Sequence, residues 1–279
     1  MSQKSYDNKP SLYLIPTPIG NMEDITIRAL NILKEVDVIF SEDTRETLKL
    51  LKYFEINKKL IACHKFNEDK VYEKVLDYLK DGKNVGLVTD RGTPVISDPG
   101  YVVSYNVIKE GFNVIGLPGP TAFVPALITS GLNPNQFLFY GFLDNKKSAK
   151  KKQLEDLKQN KYTMIFYESP FRVIETLLLV KEIMGDRNIS VSREISKKYE
   201  EVYRGTISEV LEELTEPKGE FVIIVDGNKQ EETYDDIDLV SHVKILINEG
   251  LSEKDAIKKV AKLHNVEKNK VYIEYHGGK

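Results

Sequence analysis

The sequence holds one cysteine, Cys63, in 279 residues. An intramolecular disulfide framework is therefore excluded, and a lone thiol suits a reducing, cytoplasmic compartment. No apolar run approaches the roughly 18 residues that a membrane helix needs, so no membrane partner is expected. The first eleven residues are polar, carry Lys4 and Lys9 and lack an apolar core, which argues against a signal peptide. No G-x-G-x-x-G follows the first apolar run and no G-x-x-x-x-G-K-[ST] occurs, so neither a dinucleotide fingerprint nor a P-loop is present. There are four histidines (His64, His242, His264, His276), no H-E-x-x-H and no cysteine pair, and no metal site is expected. No internal repeat or low-complexity tract stands out. An excess of one charge is missing too. Forty basic against 43 acidic side chains leave −3, so the total gives no hint of a nucleic-acid partner.

What is present is a globular composition. Hydrophobic residues make up 41%, and the 17 glycines bring the apolar share to the usual globular value. The length suggests about two domains of roughly 150 residues, with a core that needs no staples.

The first half alternates apolar β-rich runs with segments of helical period. Strands are expected at 12–16, 38–40, 60–63, 85–89 and 114–117. Helices are expected at 25–36 with Asp24 as N-cap, 44–54, 71–80 capped by Asn67, and 101–110 closed by Gly111. Such alternation points to a mostly parallel, doubly covered sheet. Pro134-Asn135 and the run 146–161 interrupt it. The second half has strands at 163–167, 189–194, 200–206 and 220–226, with helices at 171–184 and 208–214. Paired strands without long crossovers suggest a mixed sheet. The acidic stretch 231–238 reads as a linker to three short helices at 239–248, 252–263 and 267–275, with Ser252 and Asp255 resembling a capping box. The fold expected is a two-domain α/β protein, with N-terminal domain 1–120, second domain 121–228, and linker plus small helical C-terminal module 229–279.

Three loops rich in glycine and proline follow apolar strands: Pro16-Thr17-Pro18-Ile19-Gly20-Asn21, Asp90-Arg91-Gly92-Thr93-Pro94 and Pro118-Gly119-Pro120-Thr121-Ala122. Each alone is an ordinary tight turn. Three at equivalent strand ends favour a ligand crevice, because open α/β sheets bind ligands outside the carboxyl ends of their strands. Ser41-Glu42-Asp43-Thr44-Arg45 places two carboxylates and an arginine at another strand end, suited to a polar substrate or to a helix N-terminus. Tyr167-Glu168-Ser169-Pro170-Phe171-Arg172 repeats that pattern. His64 follows a strand and is a base or a structural residue. Residues 146–161 hold seven lysines against Glu155 and Asp156, either a solvated helix face or a track for phosphates. Residues 241–279 carry eight lysines against five acids.

With these residues in view, the sequence resembles the ribosomal RNA small subunit methyltransferase I family, 16S ribosomal RNA cytidine 2′-O-methyltransferases of the tetrapyrrole (corrin/porphyrin) methylase superfamily. The matching stretches are LYLIPTPIGNMEDITI at 12–27, EDTR at 42–45, Gly92–Pro94 with Asp98-Pro99-Gly100, LPGP at 117–120, Gly141-Phe142-Leu143, FYESPFR at 166–172, Arg193-Glu194 with Lys197, and Lys218-Gly219-Glu220. They run in order over nearly the whole chain.

The resemblance implies S-adenosylmethionine between two α/β domains, a homodimer, and 16S rRNA in the small ribosomal subunit as partner. It implies a cofactor pocket using Pro18, Asp90, Gly92, Thr93, Pro94, Pro118, Thr121 and Ala122, closed by Tyr167 and the Pro217–Gly219 turn. Two departures stand out. Arg91 replaces a small residue of the family pattern, and Phe171 stands where the family usually has histidine. Methyl transfer to a ribose hydroxyl needs alignment and a positioned base. The catalytic candidates are Asp43, Glu168 and Asp90 as base or orienter, with Arg45 and Arg172 holding phosphate or ribose. Asp43 is expected to matter for turnover more than for cofactor binding. A tetrapyrrole C-methyltransferase and a non-catalytic ribosome-binding protein remain as alternatives.

Overall fold

The computed structural model describes residues 3–5, 7–229 and 237–277. The chain divides into two compact units, Met1–Gly227 and Asn228–Lys279. Within the acidic stretch read as a linker, residues 231–236 lie outside the described residues.

The first sheet is built from β1 (Ser11–Leu14), β2 (Val38–Ser41), β3 (Lys59–Ala62), β4 (Val85–Val88) and β5 (Asn113–Gly116). All pairings are parallel, in the order β3-β2-β4-β1-β5. Parallel strands need crossovers, supplied here by α1 (Ile27–Glu35), α2 (Thr44–Tyr53), α3 (Glu68–Lys80) and α4 (Tyr101–Lys109). Helices on both faces bury the inner strands β2 and β4 along their whole length. Val38, Ile39 and Phe40 are wholly inaccessible, with Ile39 in one apolar layer and Val38 and Phe40 in the other. Cys63 lies in the second of these layers, and burial pushes its thiol up to about 12, which makes it inert.

The second sheet comprises β6 (Phe137–Phe142), β7 (Thr163–Glu168), β8 (Asn188–Arg193), β9 (Glu201–Thr206) and β10 (Phe221–Val225), in the order β6-β7-β10-β8-β9. Only β6 and β7 run parallel, so this sheet is mixed. The helices α5 (Phe123–Thr129), α6 (Lys147–Leu157), α7 (Val173–Met184) and α8 (Ile207–Glu213) accompany it. The parallel sheet, the mixed sheet and the C-terminal helices match the expected fold class.

Several local expectations are corrected. Asp24 does not cap α1. It ends a 3-10 turn, Met22–Asp24, and its carboxylate accepts from the Ser196 hydroxyl, while Thr26 Oγ1 accepts from the Ala29 N–H and caps the helix. Asn67 sits at the start of α3 without capping it. Its side chain accepts from His64 N–H and donates to the Ala62 carbonyl, closing the preceding loop. The expected helix at 171–184 begins at Val173. Two elements were not expected: α5 is only seven residues long and carries Pro125 in its first turn, and β6 is bulged between Phe139 and Gly141, which breaks its alternation.

The run of lysines is not a uniformly solvated face. In α6, Lys150 is fully buried. Its Nζ donates to Thr176 Oγ1 at 2.9 Å and lies 3.9 Å from Glu168 Oε2.

The C-terminal unit contains α9 (Leu239–Asn248), α10 (Glu253–Leu263) and α11 (Lys268–Gly277), packed around Val243, Ile257, Val260 and Val271. Asp238 caps α9, and Ser252 caps α10 by accepting from the Asp255 N–H. His242 Nδ1 lies 2.8 Å from His264 Nε2, and burial followed by His264 and Lys259 holds the His242 imidazole below its ordinary value. The folded unit thus resists a proton that the unfolded chain accepts near 6.5, so its stability is complete above that pH and is lost as pH falls below it. Amide protection factors in α9 and α10, corrected for the intrinsic pH dependence of exchange, are expected to fall below about pH 6.5. His242→Gln is expected to flatten that dependence.

Candidate active site

In the first sheet β1 lies between β4 and β5, so the three glycine- and proline-rich loops leave adjacent strand ends. Hydrogen bonds knit them together. Thr17 N–H donates to the Gly92 carbonyl at 2.9 Å and Gly92 N–H donates to the Thr17 carbonyl at 3.0 Å. Thr17 Oγ1 donates to the Thr89 carbonyl, and Thr93 Oγ1 to the Pro120 carbonyl at 2.9 Å. Gly92 has φ +84°, a conformation costly for side-chain-bearing residues, and a Cβ on Gly119 would lie 2.6 Å from Pro16 Cβ.

These loops face the ends of β7, β8 and β10 across a cavity of about 610 Å³. Of the residues singled out from the sequence, Asp90, Gly92, Thr93, Thr121, Ala122, Tyr167 and Glu168 line it together. Pro18 and Pro94 are buried behind the loops, Pro118 is exposed, and Pro217 is half-buried, all outside the lining. Burial raises the Tyr167 phenol, whose hydroxyl bonds to Thr121 and the Phe123 backbone.

Asp43 and Arg45 are not in the cavity wall. The Asp43 carboxylate caps α2, and the Arg45 guanidinium lies 2.6 Å from its Oδ2. Hydrogen bonds from Arg45 hold this carboxyl at about 2, making it a weak proton acceptor. Its backbone N–H donates to Asp90 Oδ1 at 2.9 Å.

Glu168 is fully engaged. Its Oε1 accepts from Ser169 N–H at 2.8 Å and lies 3.3 Å from Arg172 Nε, while Oε2 accepts from Thr176 Oγ1 at 2.7 Å. Arg172 reaches the Leu143 and Asp144 carbonyls at 2.9 and 3.1 Å and also bonds Asn145. It thereby fastens the loop after β6 to the start of α7. Burial and then the Arg172 charge lower the Lys150 ammonium.

Other lining residues carry charge that the sequence reading did not assign. Glu42, Asp98, Glu194 and Glu220 join Asp90, with Lys197 paired to Glu194 and Glu220 and Arg91 paired to Glu220. Burial pushes the Asp98 carboxyl up to about 7, aided by the charges of Glu42, Asp90 and Glu220 and opposed by a hydrogen bond from Thr89. Glu42 is raised by burial and by Asp90. Val95 and Ser97 hold φ of +76° and +65°, so the loop presenting Asp98 is strained, which is common at functional sites. Asp98-Pro99-Gly100 was visible as a motif, but only the juxtaposition with Glu42 and Asp90 marks its carboxyl.

The family profile described as Tetrapyrrole (Corrin/Porphyrin) Methylases matches residues 11–211. A protein of Bacillus subtilis (strain 168) named Ribosomal RNA small subunit methyltransferase I is 46% identical over 285 residues, covering 98% of both chains. The protein of that name from Halalkalibacterium halodurans is 45% identical, covering 99% of both. This chain belongs to the tetrapyrrole methylase family. Among solved structures, a diphthine synthase superposes with a TM-score of 0.61 at 13% identity, covering 78% of this chain and 90% of its own. A uroporphyrin-III-C-methyltransferase from Thermus thermophilus gives 0.55 at 16%, covering 78% and 94%. At these identities the likeness concerns the fold alone.

In this methylase the two departures have plain consequences. The Arg91 side chain extends to Glu220 at 3.0 Å, bridging the two sheets at the cavity rim. Phe171 leaves its ring 96% exposed beside Pro170 of the cavity wall. Breaking the buried cluster is expected to be far costlier than breaking the rim bridge. Lys150→Met should lower unfolding stability by about 3 kcal/mol by leaving Glu168 underpaired. Arg91→Ala should cost no more than about 1 kcal/mol, since both partners are more than half exposed. Denaturant midpoints for the two variants check this order.

Proposed function

We propose that this methylase transfers a methyl group from S-adenosylmethionine to the ribose 2′-hydroxyl of a cytidine in 16S rRNA of the small ribosomal subunit. The relatives' shared name, over nearly the full length of the chain, supports the substrate class. The observation that carries the mechanism is Asp98, a raised carboxyl in the wall of the cavity.

The residues present fit the cofactor. Glu42, Asp90 and Asp98 are each raised by burial and then by neighbouring carboxylates, Asp90 acting on Glu42, Asp43 and Glu46 on Asp90, and Glu42 and Asp90 on Asp98, and a ligand bearing sulfonium and ammonium charges relieves that repulsion. Phe142, Tyr167 and Val222 offer apolar surface for a purine, and Gly92 gives close access to backbone. When bound, S-adenosylmethionine supplies an electrophilic methyl group on a sulfonium and leaves as a neutral thioether.

The chain's own part is to align and to accept a proton. The linked loops order the first sheet's half of the cavity and the Glu168 cluster orders the second's, and alignment of bound groups between them supplies much of the rate. Asp98 takes the hydroxyl proton as the oxygen–carbon bond forms, a contribution of about 10²–10⁴-fold. In this reading Asp98 replaces Asp43 and Glu168, whose oxygens are already taken, while Asp43 and Arg45 anchor the loop that orients Asp90. The homodimer rests on the resemblance, and sedimentation of the full chain tests it. An rRNA substrate goes with a cytoplasmic location.

Asp98→Asn is expected to lower methylation of 30S subunits by at least about 10²-fold while the donor still binds. Mass spectrometry of 16S rRNA nucleosides and calorimetry with S-adenosylmethionine measure the two. No donor binding would favour a non-catalytic ribosome-binding protein. For wild type, kcat/KM for the donor should rise with pH through about 7, where free Asp98 ionises. Stability has the opposite sign. The folded state keeps a proton on Asp98 that the unfolded chain releases near 3.8, so stability falls as pH rises from there to about 7. Asp98→Asn should remove that loss in thermal unfolding.

A further inference from the structure

A second cavity, of about 440 Å³, adjoins the first. Glu42, Ser97 and Asp98 stand in the walls of both. Its remaining walls come from the loop before α3 and the starts of α3 and α4, and include Lys65, Glu68, Asp69 and Tyr101.

We propose that this second cavity is the acceptor pocket, taking one nucleotide everted from a single-stranded stretch of RNA, with its base on the Tyr101 ring and its ribose toward Asp98. The inference rests on the methyltransferase reading above and adds where the acceptor binds and which side chains hold it.

Methyl transfer needs the acceptor oxygen in line with the donor's methyl and sulfur, and the proton-accepting group beside that oxygen. Asp98 borders both cavities, so it can face a hydroxyl where the two meet. The proton of the ribose hydroxyl passes to its carboxylate, the oxygen–methyl bond forms, and the sulfur–methyl bond of the donor breaks. Both volumes lie within the 300–1,000 Å³ typical of small-ligand pockets.

Tyr101 has the properties of a stacking platform. Its side chain is two-thirds exposed, yet its backbone is held. Gly100 precedes it at φ +122°, with the Leu87 side chain against its Cα, and Val102 N–H donates to Glu68 Oε2 at 3.1 Å. Tyr105, one turn further along α4, extends the surface with its ring 6.1 Å away at 30°. RNA is recognised mostly through unpaired bases stacked on such rings.

The charges suit one nucleoside rather than a duplex backbone. Lys65 is exposed at the wall and can meet a single phosphate, while the Glu68 and Asp69 carboxylates can accept from an exocyclic amino group of a base. A uridine offers no such donor.

Tyr101→Ala and Lys65→Glu alter exposed side chains, so unchanged melting temperatures should show that the fold is kept. Three measurements then apply to the full-length protein: calorimetry with S-adenosylmethionine, fluorescence titration with a short, end-labelled, cytidine-containing single-stranded RNA, and methylation of 30S subunits. Donor affinity is expected to stay within twofold. Affinity for the RNA and kcat/KM for the subunit should fall about five- to hundred-fold in Tyr101→Ala, the range of one lost base stack. Tyr101→Phe should restore both, because the ring and not the hydroxyl is used. Replacing cytidine by uridine in the oligonucleotide should weaken binding to wild type.

If wild type methylates 30S subunits while Tyr101→Ala and Lys65→Glu match it within twofold in both RNA measurements, the acceptor pocket lies elsewhere. If wild type methylates no RNA, the methyltransferase reading fails, and the oligonucleotide titration alone decides whether Tyr101 holds a base.

Discussion

The buried grouping of Glu168 with Lys150, Arg172 and Thr176 is the constraint on which the second sheet's half of the cavity depends. A carboxylate and an ammonium with no access to water are tolerated only when each finds partners, and here one side chain satisfies the next. Arg172 carries that order outward to the carbonyls after β6, and the Ser169 N–H carries it into the loop after β7. Buried ion pairs of this kind add little net stability compared with apolar packing. What they do is permit one arrangement and penalise every other, which a site assembled from several loops requires.

The first sheet solves the same problem with backbone. Its three loops leave neighbouring parallel strands, and the reciprocal bonds between Thr17 and Gly92 join two of them as an isolated bridge. Against that rigid frame stands a cluster of carboxylates that disfavour one another. The strain at Val95 and Ser97 and the raised Asp98 are sustained because the surrounding loops are held from elsewhere. Stability is thus concentrated behind the cavity and given up at its surface, the distribution expected where a cationic ligand completes the charge balance.

Much of the fold was legible. Parallel crossovers in the first half and paired strands in the second follow from hydrophobic period, and the observed sheets have those characters. Two of the misreadings share a cause, which is that a side chain's partner was distant in sequence. Asp24 looked like a cap, yet Ser196 claims it. Lys150 looked like one lysine of a solvated run, yet Thr176 and Glu168 enclose it. The helix α5 and strand β6 escaped notice because a proline and a bulge break the periods by which such elements are recognised.

For the site, glycine- and proline-rich strand ends pointed to the loops that meet at the cavity, because such loops announce close backbone approach in their own composition. The sequence by itself therefore determined the layering of the two sheets, the positions of their loops and the family to which the chain bears its likeness. Which carboxylate is perturbed, which is neutralised and which faces two cavities was decided only in three dimensions. Asp43, Asp90, Asp98 and Glu168 are chemically alike as letters. Burial, neighbouring charge and the count of hydrogen bonds distinguish them, and those are properties of packing rather than of order along the chain.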